Sequence, residues 1–444
     1  MKYWFLTLLT WQSIASSQAQ CIASIDTQPL SSIINDTLIT QNQNLCAYIE
    51  ISNTGALINN NSIYADFGSI TNNGTIVNNG TTIIGRLSIV NNNEMHNSGN
   101  IKSYGDGETI INNGRLSNTG LIKNSIHNSG IINNSGSINP VSITNKGTIN
   151  ILNEGSIAYT SHYQDSSQFR HQLENSGVIN IDGSITTEYY TIVTNTGKIN
   201  NRNILQVTNS NLNNLGNIAN SGTLIIETTP DTTSSTLINT GVISGSGNIE
   251  LGGNVWYGST SIENYNVIKQ STIKMVRSTH DLRGGSIINH GDISADITTS
   301  DRGELTLYRG STIHGNASIV DSELWLTEID SESMAPAIFG NLDLSHTKIH
   351  LNFLDFSKLK AGQIFSLLTV SGNTSGFSVD SIHKSSLDLI PEKIKYTLSF
   401  VDGSLAMNIS AVPEPEHYLL FASSLMCFYF SRRKSSHFPA DKIH

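Results

Sequence analysis

The sequence has few rings, few charges and few cysteines, and these shortages narrow the class of protein. Only 7% of the 444 residues are aromatic and 14% are charged, and the chain has 3 Cys and 8 Pro against 36 Gly. With so few rings, a buried core has to be built from Ile, Leu and Val. Hydrophobic residues make up 37% of the chain, which is enough for such a core and argues against a disordered polar tract.

Basic stripes are also missing from the sequence. The formal net charge is −10, from 25 Lys and Arg against 35 Asp and Glu. Phosphate contacts supply most of the affinity of nucleic-acid-binding proteins, so this balance argues against nucleic acid as a partner.

The most frequent pattern in the chain is an Asn-x-Gly triplet followed, after one residue, by an aliphatic residue. From Gly55 to Gly241 the triplets make nine steps over 186 residues, about 21 residues each, which is the kind of period that signals a repeat architecture. The triplets begin at Asn53, Asn72, Asn97, Asn118, Asn134, Asn153, Asn175, Asn195, Asn220 and Asn239 and end at Gly55, Gly74, Gly99, Gly120, Gly136, Gly155, Gly177, Gly197, Gly222 and Gly241.

Short β-branched stretches such as Thr75–Val77 and Thr223–Ile226 follow the triplets and nearly alternate, which predicts strands. Gly accepts a positive φ without steric cost, and Asn tolerates the left-handed region better than other residues. We therefore expect one sharp Asn-x-Gly corner per coil, with weaker turns at additional copies. Asn side chains at equivalent corners are expected to form hydrogen-bonded ladders from one coil to the next.

The pattern predicts an all-β fold, a right-handed parallel β-helix over residues 49–335 with a C-terminal β cap. About 14 coils stacked at ~4.8 Å give a rod about 65 Å long. Antiparallel hairpins also use Asn-Gly, but they need matched strands of five or more residues. We expect an N-terminal cap over 20–48, an end of the rod at the polar break Thr327–Pro336, and a cap over 336–411 that turns at Asp402-Gly403.

Residues 1–19 have the three parts of a secretory signal peptide. Lys2 provides the positive start, residues 3–11 the apolar stretch, and Ser17-Gln18-Ala19 the cleavage site. Cys21 and Cys46 then lie near the start of the mature chain. In an exported protein they either form a disulfide that staples this end of the fold or are two unrelated thiols.

The C-terminal segment 412–434 has a Pro-containing hinge, an apolar run over 418–430 and a basic cluster, followed by a polar tail over 435–444. The hinge and the cluster consist of Val412, Pro413, Glu414 and Pro415, and of Arg432, Arg433 and Lys434. This order resembles the PEP-CTERM sorting signal of Gram-negative bacteria. The resemblance implies processing by an exosortase-type enzyme of the inner membrane. The alternative is a plain C-terminal membrane anchor.

An enzymatic reading depends on one acidic stretch near the end of the repeats, because some β-solenoids act on polysaccharides. The stretch contains His280, His290 and His314 together with Asp281, Asp292, Asp296, Asp301, Glu304, Asp321, Glu323, Glu328, Asp330 and Glu332. Such residues catalyse sugar chemistry or hold Ca²⁺ when they converge, whereas a solvated face carries them without any site. Tyr189-Tyr190 and Trp256-Tyr257 are either sugar-stacking platforms or packing residues.

No calcium-binding nonapeptide, nucleophile elbow, Walker loop or His-Glu-x-x-His motif occurs, which favours a protein that is not an enzyme and that has no cofactor or resident metal. The repeat body resembles passenger regions of autotransporters and filamentous haemagglutinins. Together the resemblances imply an exported structural or adhesive protein of the bacterial cell surface or extracellular matrix, with a transient inner-membrane anchor. Expected partners are extracellular polysaccharide and other surface proteins. The alternative is a polysaccharide lyase or hydrolase.

Overall fold

The computed structural model describes most of the repeat body and part of the C-terminal tail. The described residues are 33–35, 38–41, 45–47, 50–65, 69–84, 88–103, 109–159, 171–188, 190–229, 234–253, 259–275, 285–299, 302–330, 334–355, 360–383, 394–411 and 423–429.

The chain winds into stacked coils that each contribute strands to three faces. Face 1 is a 16-stranded parallel sheet in which successive neighbours are three strands apart along most of the chain, so each coil adds one strand. We number the coils 1 to 16 by these strands. They are Ile33–Asn35, Glu50–Asn53, Ser69–Asn72, Ile89–Asn91, Thr109–Asn112, Ser125–Asn128, Ser142–Asn145, Gln172–Asn175, Ile192–Asn195, Asn211–Asn214, Ser235–Asn239, Thr260–Asn264, Ser286–Asn289, Glu304–Tyr308, Glu323–Ile329 and Lys348–Phe353.

Face 2 follows face 1 within each coil, and face 3 completes the coil. The strands of face 2 are Leu38–Gln41, Ala56–Asn59, Thr75–Asn78, Glu94–Asn97, Arg115–Asn118, Ile131–Asn134, Thr148–Ile151, Val178–Ile181, Lys198–Asn201, Asn217–Asn220, Val242–Ser244, Val267–Met275, Asp292–Thr299, Thr312–Ile313, Ala337–Ile338 and Ile364–Val370. The strands of face 3 are Leu45–Ala47, Ser62–Ala65, Thr81–Ile84, Asn100–Ser103, Leu121–Lys123, Ser137–Ile138, Ser156–Tyr159, Ser184–Thr187, Ile204–Thr208, Thr223–Thr228, Asn248–Gly253, Ala317–Ile319, Leu342–Asp343 and Thr374–Ser375. The long strands of coils 12 and 13 pair on both faces.

The core is a set of aliphatic columns that run along the rod. Strands such as Ser69–Asn72 and Thr75–Asn78 alternate half-buried and buried residues, as period-2 side chains must. Ile70, Ile89 and Ile110 pair in register on successive coils, and each is at most 2% exposed. Branched side chains therefore stack directly on their equivalents, which confirms a parallel β-helix built without a ring-rich core.

A ladder of buried asparagines runs along the corner at the end of face 1. The side-chain Nδ2 of each member but the last donates to the Oδ1 of its equivalent on the next coil, at 2.6–2.9 Å. The members are Asn53, Asn72, Asn91, Asn112, Asn128, Asn145, Asn175, Asn195, Asn214, Asn239, Asn264 and Asn289. The predicted ladder is thus present, and it is buried inside the corner.

A second ladder runs along the end of face 2 and is interrupted once. It joins Asn59, Asn78, Asn97, Asn118 and Asn134 by the same Nδ2 to Oδ1 bonds of 2.6–2.7 Å. On the next two coils the position is occupied by Ile151 and Ile181, which stack on each other, before Asn201 and Asn220 resume the ladder. Because Ile181 has no donor, the buried Oδ1 of Asn201 has no hydrogen-bond partner.

The expectation of one Asn-x-Gly corner per coil is wrong, because the triplets occupy two corners. The triplets at Asn97-Gly99 and Asn118-Gly120 end strands of face 2. Those at Asn175-Gly177, Asn195-Gly197 and Asn239-Gly241 end strands of face 1. Along the sequence, the series of Asn-x-Gly triplets therefore switches between the two corners. The mean spacing of the triplets is still about the length of one coil, because each corner recurs once per coil.

The expected role of glycine at these corners is also wrong. Among the described residues the glycines with positive φ are Gly245, Gly310, Gly315, Gly362, Gly376 and Gly403, and none ends one of the ten triplets. The reason for glycine is the stacking distance: a Cβ at Gly120 would collide with the carbonyl oxygen of Gly99 on the preceding coil, and one at Gly177 with that of Gly147. The corners therefore exclude a side chain by close approach of backbones.

The stack of coils extends beyond residues 49–335 at both ends. Fourteen strands of face 1, from Glu50–Asn53 to Glu323–Ile329, lie within that range, as expected. However, Ile33–Asn35 already pairs in parallel with the next coil, and Ala337–Ile338 pairs in parallel with Thr312–Ile313. Sixteen coils at ~4.8 Å per step give a rod about 72 Å long. The polar break before residue 337 therefore does not end the rod.

The Asn-x-Gly pattern does not identify coils 14 to 16, because the corners of these coils have a different order of residues. Gly315-Asn316, Gly340-Asn341 and Gly372-Asn373 stand at equivalent corners of coils 14 to 16. Here the asparagine follows the glycine, and its Oδ1 accepts from the backbone N–H of the next asparagine at 2.9–3.0 Å. Asparagines at this corner therefore still form hydrogen bonds from coil to coil, although the sequence motif differs.

The C-terminal end of the rod is closed by antiparallel strands, as predicted. Ser404–Ala411 pairs antiparallel with both Ile364–Val370 and Ile394–Val401. The hairpin turns at Asp402-Gly403, whose φ angles of 48° and 74° are those of a tight two-residue turn. A 3₁₀ turn, Val379–Ser381, precedes this hairpin, and residues 423–429 form a short exposed helix.

Replacing Asn128 by Ile is expected to destabilise the rod more than replacing Asn134 by Ile. The first change leaves both the Nδ2 of Asn112 and the Oδ1 of Asn145 without their ladder partners, whereas Asn134 already ends a ladder segment and faces Ile151. The orphaned Oδ1 of Asn145 costs about 1–3 kcal/mol, whereas the Nδ2 of Asn112 still donates to the carbonyls of Gly114 and Ile131. Thermal unfolding followed by circular dichroism measures the difference. Equal losses in the two variants would contradict this account of the ladder.

Replacing Gly120 by Ala is expected to cost about 1–3 kcal/mol or more, because the added methyl group forces the backbones of two coils apart. The control is Thr119→Ala, which changes the exposed neighbour that makes only a 3.4 Å hydroxyl contact with Asn97 O. Amide hydrogen exchange at the flanking coils reports the local loss. Unchanged protection in Gly120→Ala would show that the corner is not closely packed.

Candidate functional site

The chemistry of the rod changes between coils 13 and 14. The ladder position held by Asn289 is occupied by Leu307, Leu326 and Leu351 on the three following coils. The corner is therefore apolar inside in coils 14 to 16. Over the same part of the rod, histidines and aromatic rings stack in columns on the outside.

The first column consists of Tyr265, His290 and Tyr308 at the end of face 1. Their ring centroids are 4.5 Å and 3.6 Å apart and the planes are inclined by 12° and 28°. The column forms because each residue directly follows the ladder position of its coil, so that coil stacking brings the rings together. The Tyr265 hydroxyl donates to Glu263 at 3.2 Å and fixes one end of the column.

The second column lies on face 1 and consists of Trp325, His350 and His383. The ring centroids are 4.0 Å and 4.7 Å apart with planes inclined by 6° and 28°. Trp325 Nε1 donates to the Glu323 carboxylate at 3.2 Å, and His350 Nε2 lies 3.5 Å from the same oxygen without forming a hydrogen bond. The His350 side chain is 9% exposed, so the imidazole is held in a nearly dry stack.

Burial disfavours the protonated form of both central histidines. Desolvation lowers the pKa of His350, the Glu323 carboxylate opposes this shift, and His383 and Lys348 reinforce it. Desolvation also lowers the pKa of His290 against the opposing charges of Glu328 and Glu263. Neutral imidazoles stack on rings without the cost of burying a charge.

The described acidic residues of the candidate catalytic stretch lie at separate places on the rod. Asp296 accepts from Asn316 at the corner before face 3, and Asp321 lies 3.3 Å from His346 at the corner before face 1. Arg309 engages Glu328 at 3.4 Å and Asp330 at 3.3 Å on another corner. Within the described part of the chain, no three His, Cys, Asp or Glu side chains are close enough to hold a metal ion.

The other candidates of this stretch are distributed as follows. His314 stacks on Phe339 at the corner between faces 2 and 3, with centroids 4.6 Å apart. Asp292 accepts from the Thr312 hydroxyl, and Glu304 from that of Thr306 at 2.8 Å. His280, Asp281, Asp301 and Glu332 lie outside the described residues.

Several further candidates also fall outside the described residues. They are Cys21, Tyr189, Trp256, Tyr257 and the sorting-signal residues Val412, Pro413, Glu414, Pro415, Arg432, Arg433 and Lys434. Cys46 lies in a strand of face 3, but its side chain is not described, so the disulfide stays a prediction. Tyr190 is 54% exposed and adopts a φ of 59°. In the described ranges no helix is long and apolar enough to span a membrane.

Sequence reasoning missed the ring columns because their members are 18 to 33 residues apart and share no motif. The signal that identifies them is the coil register itself: His350 pairs with Trp325, and the bridge from Ile349 to Ile382 brings His383 alongside. Fold and surface together define a parallel β-helix rod with ring columns near one end. No protein-family model matches the chain, and no curated protein matches it either.

Lowering the pH below about 6.5 is expected to destabilise coils 12 to 16. A histidine with a lowered folded pKa binds fewer protons in the folded state than in the unfolded state, so stability is lost as the pH falls below the ordinary value of 6.5. His350→Phe keeps a ring between Trp325 and His383 and should flatten the pH dependence of the melting temperature between pH 7.5 and 5. Thr144→Phe, on the same outward column of coil 7, is the control. Parallel profiles for the wild type and His350→Phe would refute this role.

Proposed function

We propose that the chain is an exported structural or adhesive protein of the bacterial cell surface or extracellular matrix. The observation that carries the proposal is the rod itself: sixteen coils stacked in register, with two internal amide ladders and an aliphatic core. Such a body has three long faces and a closed C-terminal end, which suits a spacer or a repetitive binding surface.

The outward surface supports a binding role better than a catalytic one. The described acidic residues that an enzyme would gather lie on different faces and corners, where they contact Arg309, His346 or a neighbouring amide. A glycosidase needs two carboxyl groups facing one bond at a defined separation. The repetitive faces, in contrast, offer many equivalent hydroxyl and amide groups to an extended partner.

The two terminal segments supply the destination in this proposal. A signal peptide over 1–19 directs export, and the segment 412–434 is recognised by an exosortase-type enzyme while it is held in the inner membrane. The rod is then released or attached at the cell surface, where extracellular polysaccharide and other surface proteins are its partners.

Removing residues 412–444 is expected to change where the protein accumulates. The full chain should fractionate with the cell envelope or surface, whereas the shortened chain should appear in the periplasm or medium. Replacing Arg432, Arg433 and Lys434 by Gln keeps the length and removes only the basic cluster, and it should impair sorting as well. Fractionation with antibody detection measures this, and the same distribution for all three forms would show that the tail is not a sorting signal.

Attachment and matrix formation test the adhesive part of the proposal. Cells without the gene should attach less and form a weaker matrix, and the full-length gene should restore both. Saturable release of reducing ends or unsaturated products from a polysaccharide by the purified protein would assign an enzyme and overturn the structural role.

A further inference from the structure

A concave site lies on the surface of coils 9 to 11. It has a volume of about 270 Å³ and lies at the end of face 2. Its lining residues are Lys198, Asn200, Arg202, Ala219, Asn220, Ser221 and Gly245. This volume is just below the ~300–1,000 Å³ of ordinary small-molecule sites, so it suits one sugar unit.

The concavity arises where an external asparagine ladder stops. On the outside of face 2, Asn150, Asn180 and Asn200 each donate from Nδ2 to the Oδ1 of the preceding coil's asparagine, at 2.6–2.8 Å. The polarity is opposite to that of the internal ladders. On the next coil the position is Ala219, whose methyl group neither fills the space nor donates. The Oδ1 of Asn150 and the Oδ1 of Asn180 each accept a hydrogen bond from the asparagine of the next coil. The Oδ1 of Asn200 has no such donor, because the next coil has Ala219 at this position.

Two cations flank this open acceptor in a chain of net charge −10. Arg202 is paired with Asp182 at 2.7 Å, while no carboxylate among the described residues pairs with Lys198. The site thus has a local excess of one positive charge. Ser221 adds an exposed hydroxyl that donates to Asn201 O at 3.3 Å and retains its lone pairs as acceptors.

Donors and acceptors together select the ligand class. The ammonium and guanidinium groups favour a carboxylate or a similar anion. The Asn200 Oδ1 and the Ser221 hydroxyl accept hydrogen bonds, which a bare inorganic anion cannot donate but a sugar hydroxyl can. We propose that the concavity bounded by Lys198, Asn200 and Ser221 binds one acidic sugar unit, a uronate, of a polysaccharide that lies across face 2.

This inference rests on the proposed surface role only for the source of the polysaccharide. Binding by the purified protein is independent of sorting, so failure of either proposal is visible without the other. The full chain, purified in detergent, is titrated calorimetrically with oligogalacturonate, with a neutral galactose oligomer and with sodium sulfate.

Oligogalacturonate is expected to bind, with weaker or no binding of the neutral oligomer and of sulfate. Lys198→Gln should weaken oligogalacturonate binding about tenfold, since one charge-assisted hydrogen bond is lost. Lys146→Gln is the matched control, because it removes the same charge from an exposed corner of coil 7 and should leave the affinity unchanged.

Ala219→Asn gives the sharper test because it fills the site without disturbing the core. The new amide continues the external ladder by donating to Asn200 Oδ1, so binding should be abolished while the melting temperature is maintained or raised. If sulfate bound as tightly as oligogalacturonate, the concavity would be a simple anion site and the proposal of a sugar site would be wrong. Equal losses in the two lysine variants, or unchanged binding in Ala219→Asn, would place the ligand elsewhere and overturn the proposal.

Discussion

The burial of asparagine amides inside a stacked rod is the constraint on which the rest of the structure depends. A buried Asn needs a hydrogen-bond partner, which along most of the rod is another Asn on the next coil, since an unpaired amide costs about 1–3 kcal/mol. The ladder therefore holds the coils in one register, although members are separated by as few as 16 and as many as 30 residues. The described strands keep this register although intervals of unequal length separate them.

Apolar residues stack on one another where they replace the ladder asparagine on successive coils. Ile151 lies against Ile181, and Leu307 against Leu326, so an apolar residue also has a matching neighbour. Stability is lost where an apolar stack meets an asparagine ladder, as at Asn201, whose buried Oδ1 has no hydrogen-bond partner. The other ladder ends of the described residues are satisfied differently, since the Nδ2 groups of Asn134 and Asn289 donate to backbone carbonyls of the next coil.

Each position of a coil lies directly over the same position of the preceding coil. This stacking builds the core and also creates the external features of the rod. An imidazole or ring placed at one outward position stacks on the ring of the next coil, as His350 does on Trp325. An external amide ladder ends in an open acceptor when a small residue follows, as Asn200 does before Ala219. The ring columns and the concave site therefore depend on which residues occupy the same position in consecutive coils. Both occur where the residue type at such a position changes.

The sequence by itself determined the fold class, the asparagine ladders, the number of coils between residues 49 and 335 and the hairpin at Asp402-Gly403, because these follow from local turn chemistry and a regular period. It did not determine which corner each triplet occupies, since two corners repeat with one period. Nor did it reveal that the glycines avoid a collision between coils, as Gly120 does with Gly99. The ring columns and the open acceptor of Asn200 likewise depend on neighbours about 20 residues apart. Only the tertiary register decides those contacts, because coils of unequal length bring residues together that no fixed spacing identifies.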